Sequence, residues 1–107
     1  MDVISFCYLR CIMKGFMIVG ATYDSCSGSL CGFLLHIDGK PFVTESVEQA
    51  VITAKECLHN DLKDYDNVEF GHYENLVYGV NYDIEVQYKI VSLDGSVVLV
   101  NDFLTNN

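Results

Sequence analysis

The clearest shortage in this sequence is of positive charge. Six Lys and Arg face fifteen Asp and Glu, so the formal net charge is −9. Binding to a phosphate backbone or to an anionic membrane depends on cations, and we therefore expect neither direct nucleic-acid binding nor membrane binding. Residues 56–107 hold ten acids and only two bases, Lys63 and Lys89. An acidic surface of this kind suits a partner with a basic surface, unless the acidity serves only solubility.

Long apolar runs are also missing. The longest uncharged stretches, residues 15–23 and 25–37, fall short of the about 20 apolar residues of a membrane span. We recognise no secretory leader and no Asn-x-Ser/Thr sequon, and the number of cysteines, five, is odd. These features favour a cytoplasmic, reducing compartment with free thiols.

Tryptophan is absent and proline occurs once, as Pro41. Half of the 107 residues are nevertheless hydrophobic, which is enough for one domain with a core of its own. We expect a single domain over residues 1–107. Residues 1–12 are apolar without a clean period, and we expect them to form a peripheral N-terminal extension.

The patterning predicts an α+β fold in the order β-β-β-α-β-β-β, with a mostly antiparallel sheet of about five or six strands and one helix on one face. Ser46 and Gln49 have the spacing of a capping box, and apolar residues then recur at helical intervals. This predicts an amphipathic helix over about residues 47–64. The strand predictions are 16–23, 30–37, 40–43, 68–70, 84–90 and 97–100, and residues 76–80 are either a strand that pairs with 68–70 or a loop.

Two kinds of strand are distinguished by their patterns. Residues 16–23 are apolar without alternation, which is typical of a strand buried on both faces. Residues 84–90 alternate between apolar and polar side chains and should be exposed to solvent on one face. Asp38-Gly39 and Asp94-Gly95 predict hairpin turns, because both central residues of a type I′ turn need positive φ. Pro41 cannot donate to a ladder and should lie at a sheet edge.

No catalytic motif is present. Cys26 and Cys31, with Cys57 and His59, offer four possible zinc ligands, but their spacing is poor for a zinc site. We expect no metal, no cofactor and no catalytic residue. The alternative is a small intracellular thiol or metal-dependent enzyme that uses Cys26, Cys31 and a histidine.

The acidic half also contains interleaved tyrosines, which offer rigid contact area with a polar tip. Carboxylates among aromatic side chains suit a basic, partly apolar partner. The residues predicted to form this partner interface are Asp61, Asp64, Asp66, Glu69, Tyr73, Glu74, Tyr78 and Tyr82.

Together these features favour a small, acidic, non-catalytic binding protein. In its sharper form the hypothesis is an inhibitor that occupies the basic nucleic-acid-binding surface of a partner enzyme. By analogy of composition alone, such a chain resembles what is expected of a phage or viral counter-defence protein. A further alternative is a subunit of a homo-oligomer that buries its apolar excess, including residues 30–37, between copies.

Overall fold

The computed structural model of this protein describes residues 15–96 and 98–100. The expectation for residues 1–12 lies outside this part of the chain. Before the helix come strands β1 (Phe16–Asp24), β2 (Ser29–Leu34), β3 (His36–Ile37), β4 (Lys40–Pro41) and β5 (Val43–Thr44). The helix, α1 (Val47–Leu62), is followed by β6 (Glu69–Tyr73), β7 (Leu76–Val80) and β8 (Ile84–Ser92). The predicted α+β class with strands on either side of a helix is confirmed.

The main sheet has six strands, and all of its pairings are antiparallel. Its order is β2-β1-β8-β7-β6, and β5 pairs with the beginning of β1. The long strands β1 and β8 lie side by side at the centre, with Ile18 opposite Ile90 and Gly20 opposite Tyr88. The two strands β3 and β4 form a separate ribbon, so Pro41 does lie in a strand with only one partner.

The helix begins and ends close to where its sequence pattern predicts. Ser46 is the N-cap, and its hydroxyl accepts a hydrogen bond from the amide of Gln49 at 3.1 Å. The second half of the predicted capping box does not form, because the Gln49 side chain donates to Thr53 instead. The helix ends at Leu62, two residues earlier than predicted, since Leu62 is the last residue of its buried face.

The core lies between α1 and one face of the sheet. Helix residues Ala54, Leu58 and Leu62 are buried there, as are Ile18 of β1 and Ile90 of β8. Among the described residues, every buried side-chain nitrogen or oxygen atom has a hydrogen-bond partner. In the same part of the chain, no helix has the length and the apolar character needed to cross a membrane.

Aromatic side chains cover glycines on the neighbouring strands. The Phe33 ring occupies the space where Gly20 would carry a Cβ, and the Tyr78 ring does the same over Gly71. Phe33 also meets Tyr88 edge to face, with ring centroids 5.8 Å apart. These contacts recover apolar packing at positions where glycine offers no side chain.

Three predicted strands differ from the structure. Residues 40–43 break at Phe42, so that β4 and β5 belong to different sheets. Residues 30–37 do not form one strand: the chain breaks at Leu35, whose buried side chain joins the core, so that β2 and β3 belong to different sheets. Residues 98–100 form no strand, although residues 97–100 were predicted to do so. Val98 and Val100 instead fill the core, and the Val100 amide donates to the Glu74 carbonyl.

The two predicted Asp-Gly turns also have different outcomes. At Asp38-Gly39 both residues have positive φ, 54° and 79°, as a type I′ hairpin requires. At Asp94-Gly95 only the glycine does, with φ 82°, and its amide donates to the Ser92 carbonyl. The second turn therefore reverses the chain without returning residues 98–100 to the sheet.

Candidate functional site

An acidic cleft lies at the end of the domain where α1 finishes and β8 starts. It has a volume of about 350 Å³. Its lining consists of carboxylate, tyrosine and asparagine side chains, without a lysine or an arginine. The lining residues are Asp64, Tyr65, Asp66, Asn67, Asn81, Tyr82 and Asp83.

Asn81 joins the two segments that form the cleft. Its Oδ1 accepts hydrogen bonds from the amides of Asp83 and Ile84, at 2.8 and 3.0 Å, and so shapes the turn between β7 and β8. Its Nδ2 donates to the Asp66 carbonyl at 3.3 Å, which holds the loop after α1 beside this turn. The loop reverses at Asn67, a residue with φ 56°.

The turn between β1 and β2 packs against the same end of the domain. The Ser25 amide donates to the Asp83 carbonyl at 3.0 Å, and the Ser25 hydroxyl donates to the Tyr82 carbonyl at 2.8 Å. Asp24 accepts from the amide of Cys26 at 2.9 Å and thereby holds its own turn. These bonds do not involve Asp64 or Asp66, and both of these residues are exposed.

The local field at this end is negative. The Cys26 thiol lies 3.7 Å from a carboxylate oxygen of Asp83. The charge of Asp83, followed by desolvation and the charge of Asp24, raises the pKa of the Cys26 thiol above its usual value. A thiol with a raised pKa is mostly protonated, and therefore a weak nucleophile, at neutral pH.

Three of the predicted interface residues line the cleft: Asp64, Asp66 and Tyr82. Tyr82 is 98% exposed and Tyr65, beside it, is 40% exposed. Tyr65 and Asp83 were missing from the predicted interface. Both are sequence neighbours of predicted members, since Tyr65 stands between Asp64 and Asp66 and Asp83 follows Tyr82, so both could have been found there.

The other predicted residues lie elsewhere. The Asp61 carboxylate accepts a hydrogen bond from the buried Tyr88 hydroxyl, so Asp61 stabilises the contact between helix and sheet. Glu69, Tyr73 and Tyr78 belong to strands β6 and β7, on the sheet face away from α1. Glu74 is in the turn between these strands, with φ 52°.

The cysteines and histidines of the alternative hypothesis are dispersed. Cys26 and Cys31 are exposed free thiols, and Cys57 is a half-buried one. His36 interacts through Nδ1 with the Leu34 carbonyl, and His59 packs on Phe70 with ring centroids 4.3 Å apart. Over residues 15–96 and 98–100, no three His, Cys, Asp or Glu side chains are grouped so that they could hold a metal ion.

Comparison with known proteins finds no relative of this chain. No protein-family model, no curated protein and no solved structure matches the chain.

Proposed function

We propose that this protein is a non-catalytic binding protein whose acidic cleft engages the basic surface of another protein. The observation that carries the proposal is the composition of the cleft: three carboxylates and two exposed tyrosines around one depression, with no cation in its lining. The sharper form is an inhibitor that occupies the groove in which a partner enzyme holds DNA or RNA. Its place of action would be cytoplasmic, where the free thiols stay reduced.

Charge and shape have separate roles in this proposal. Asp64, Asp66 and Asp83 replace phosphates in contact with Lys and Arg side chains of the partner, which guides encounter from a distance. Tyr65 and Tyr82 add rigid aromatic surface that excludes water around those ion pairs, and an arginine can also stack on their rings. The carboxylates thus act mainly on the association rate, and the tyrosines mainly on the lifetime of the complex.

The experiment is affinity capture with two matched triple variants. The cleft variant carries Asp64→Lys, Asp66→Lys and Asp83→Lys, and the control variant carries Glu45→Lys, Glu48→Lys and Glu56→Lys at exposed positions away from the cleft. Each reversal adds two charges, so both variants move from −9 to −3. Circular dichroism first checks that each variant has the secondary structure of the native protein.

A specific partner is expected to bind the native protein and the control variant, to elute with salt, and to be displaced by added nucleic acid. The cleft variant should lose it. Equal retention by both variants would show that only net charge matters, and the proposal would then be wrong. Retention by all three proteins at high salt would also contradict it, because such binding does not depend on carboxylates.

A further inference from the structure

The sheet face opposite α1 is rich in exposed apolar side chains. On β1 this face carries Val19 and Tyr23, which are 38% and 41% exposed, and on β2 it carries Leu30, which is 74% exposed. The apolar pattern of residues 16–23 predicts a strand buried on both faces, yet α1 covers only one face of β1. Exposed apolar side chains that are grouped on neighbouring strands and bordered by polar residues often mark an interaction site.

A polar stripe crosses this apolar face along the central strand β8. It consists of Glu85, Gln87 and Lys89, whose partners on β1 are Tyr23, Ala21 and Val19. Alternate residues of a strand point to the same face, so Glu85 and Lys89 lie about 7 Å on either side of Gln87. The stripe therefore has opposite charges at equal distances from its centre.

This arrangement is complementary to itself. Consider a twofold axis that lies between the two sheets, passes over Gln87 and runs perpendicular to the strands. It places Glu85 of each copy against Lys89 of the other, so that two ion pairs form. An axis parallel to the strands would place Glu85 against Glu85, with a repulsive result. The first axis also places Tyr23 against Val19. It places Ala21 and Tyr78, the neighbours of Gln87 on β1 and β7, each against its own copy.

The face has the size of a small interface. Five neighbouring strands at about 4.8 Å spacing, each with at least five residues at about 3.4 Å, give a footprint of about 24 by 17 Å. This is about 400 Å² in plan before the relief of the side chains is added, and stable interfaces bury roughly 800 Å² of accessible surface per partner. Two such sheets pack about 10 Å apart with nearly aligned strands.

We propose that two copies of this chain form a symmetric dimer through the sheet faces opposite α1, with reciprocal Glu85–Lys89 ion pairs about an axis over Gln87. The acidic clefts, which lie beyond the start of β8, would then point away from each other at opposite ends of the dimer. The dimer could engage two basic partners or two basic sites on one partner. The proposal does not depend on the function of the cleft.

The test is analytical ultracentrifugation of the full chain over a range of concentrations. The native chain has a mass of 12.0 kDa and should sediment as a species of twice that mass. Glu85→Lys alone and Lys89→Glu alone each place two like-charged pairs at the interface, and each should raise the dimer dissociation constant about 10-fold or more. The double variant Glu85→Lys/Lys89→Glu restores opposite charges and should recover the native constant.

Matched controls on the exposed side of α1 are Glu56→Lys and Lys55→Glu, which change the net charge by the same amounts and should leave the dimer unchanged. A monomeric native chain would overturn the proposal. So would a dimer that both single variants leave intact, or one that the double variant fails to recover. Since the measurement needs no partner, its failure is separate from any failure of the cleft hypothesis.

Discussion

The contact between the end of α1 and strand β7 allows a quantitative prediction. Gly79 faces the helix, and a Cβ added there would overlap a Leu62 methyl group and lie 3.1 Å from the Phe70 ring. Leu62 is 2% exposed and cannot move aside. Replacing glycine by alanine in a strand normally gains about 0.5–1 kcal/mol. Overpacking a filled core loses about 1–3 kcal/mol, so Gly79→Ala should lower the free energy of unfolding by about 1–2 kcal/mol.

A double-mutant cycle tests the cause of that loss. Leu62→Ala alone leaves a cavity and should cost about 2–5 kcal/mol. In the Leu62→Ala background the methyl group is gone, so Gly79→Ala should become neutral or stabilising, with a coupling of about 1–3 kcal/mol. Urea unfolding followed by circular dichroism measures all four proteins.

Gly32→Ala in β2 is the matched control. A Cβ there would meet only the Gly20 carbonyl oxygen, at 3.9 Å, so this variant should be unchanged or slightly more stable. If Gly79→Ala is as stable as Gly32→Ala, or if its effect adds to that of Leu62→Ala without coupling, the helix does not end on β7 as described.

Three further predictions concern single side chains. Ser46→Ala removes the N-cap acceptor of α1 and should lower the free energy of unfolding by about 1 kcal/mol in urea titrations. Burial and the bond to Asp61 raise the pKa of Tyr88 above its usual 10.0, so its contribution to stability is complete below pH 10 and declines at higher pH. Between pH 9 and 11 the free energy of unfolding of the native protein should therefore fall by about 1 kcal/mol more than that of Tyr88→Phe, which unfolding measurements at both pH values test. Hydrogen bonds from Ser92 and Ser96 lower the pKa of Asp94 from 3.8 to about 2, so its contribution is present above pH 3.8 and is lost as the pH falls through 2. Acid titration of Asp94→Asn should show a smaller loss of stability over that interval than the native protein.

The elements with a strong period could be predicted from the sequence. The alternation of Ile84, Val86, Tyr88 and Ile90 is present because α1 covers only that face of β8, and the cap at Ser46 marks where the helix begins. Residues 98–100 are apolar and two of the three are β-branched, as in a strand, but Val98 and Val100 are buried in the core without sheet pairing. Composition alone does not distinguish these two ways of burying valine.

The site was predictable only where it is local in sequence. Asp64 and Asp66 share one loop, so their grouping follows from the chain itself. Asp83 and the turn at Ser25 reach the same end through the antiparallel registers of β1, β7 and β8, which no short pattern specifies. The inward role of Asp61 depends on Tyr88, 27 residues away. Contacts over such distances are set by the packing of the whole domain.

The association rate with a captured partner, measured as a function of salt, tests the central claim most directly. If the cleft carboxylates guide encounter, the rate for the native protein should fall steeply from about 50 mM to 300 mM salt, because screening shortens the range of attraction to about 8 Å at physiological ionic strength. The variant Asp64→Lys/Asp66→Lys/Asp83→Lys should associate slowly at every salt concentration, and the variant Glu45→Lys/Glu48→Lys/Glu56→Lys should retain most of the native salt dependence. Identical, salt-independent rates for all three proteins would contradict the account.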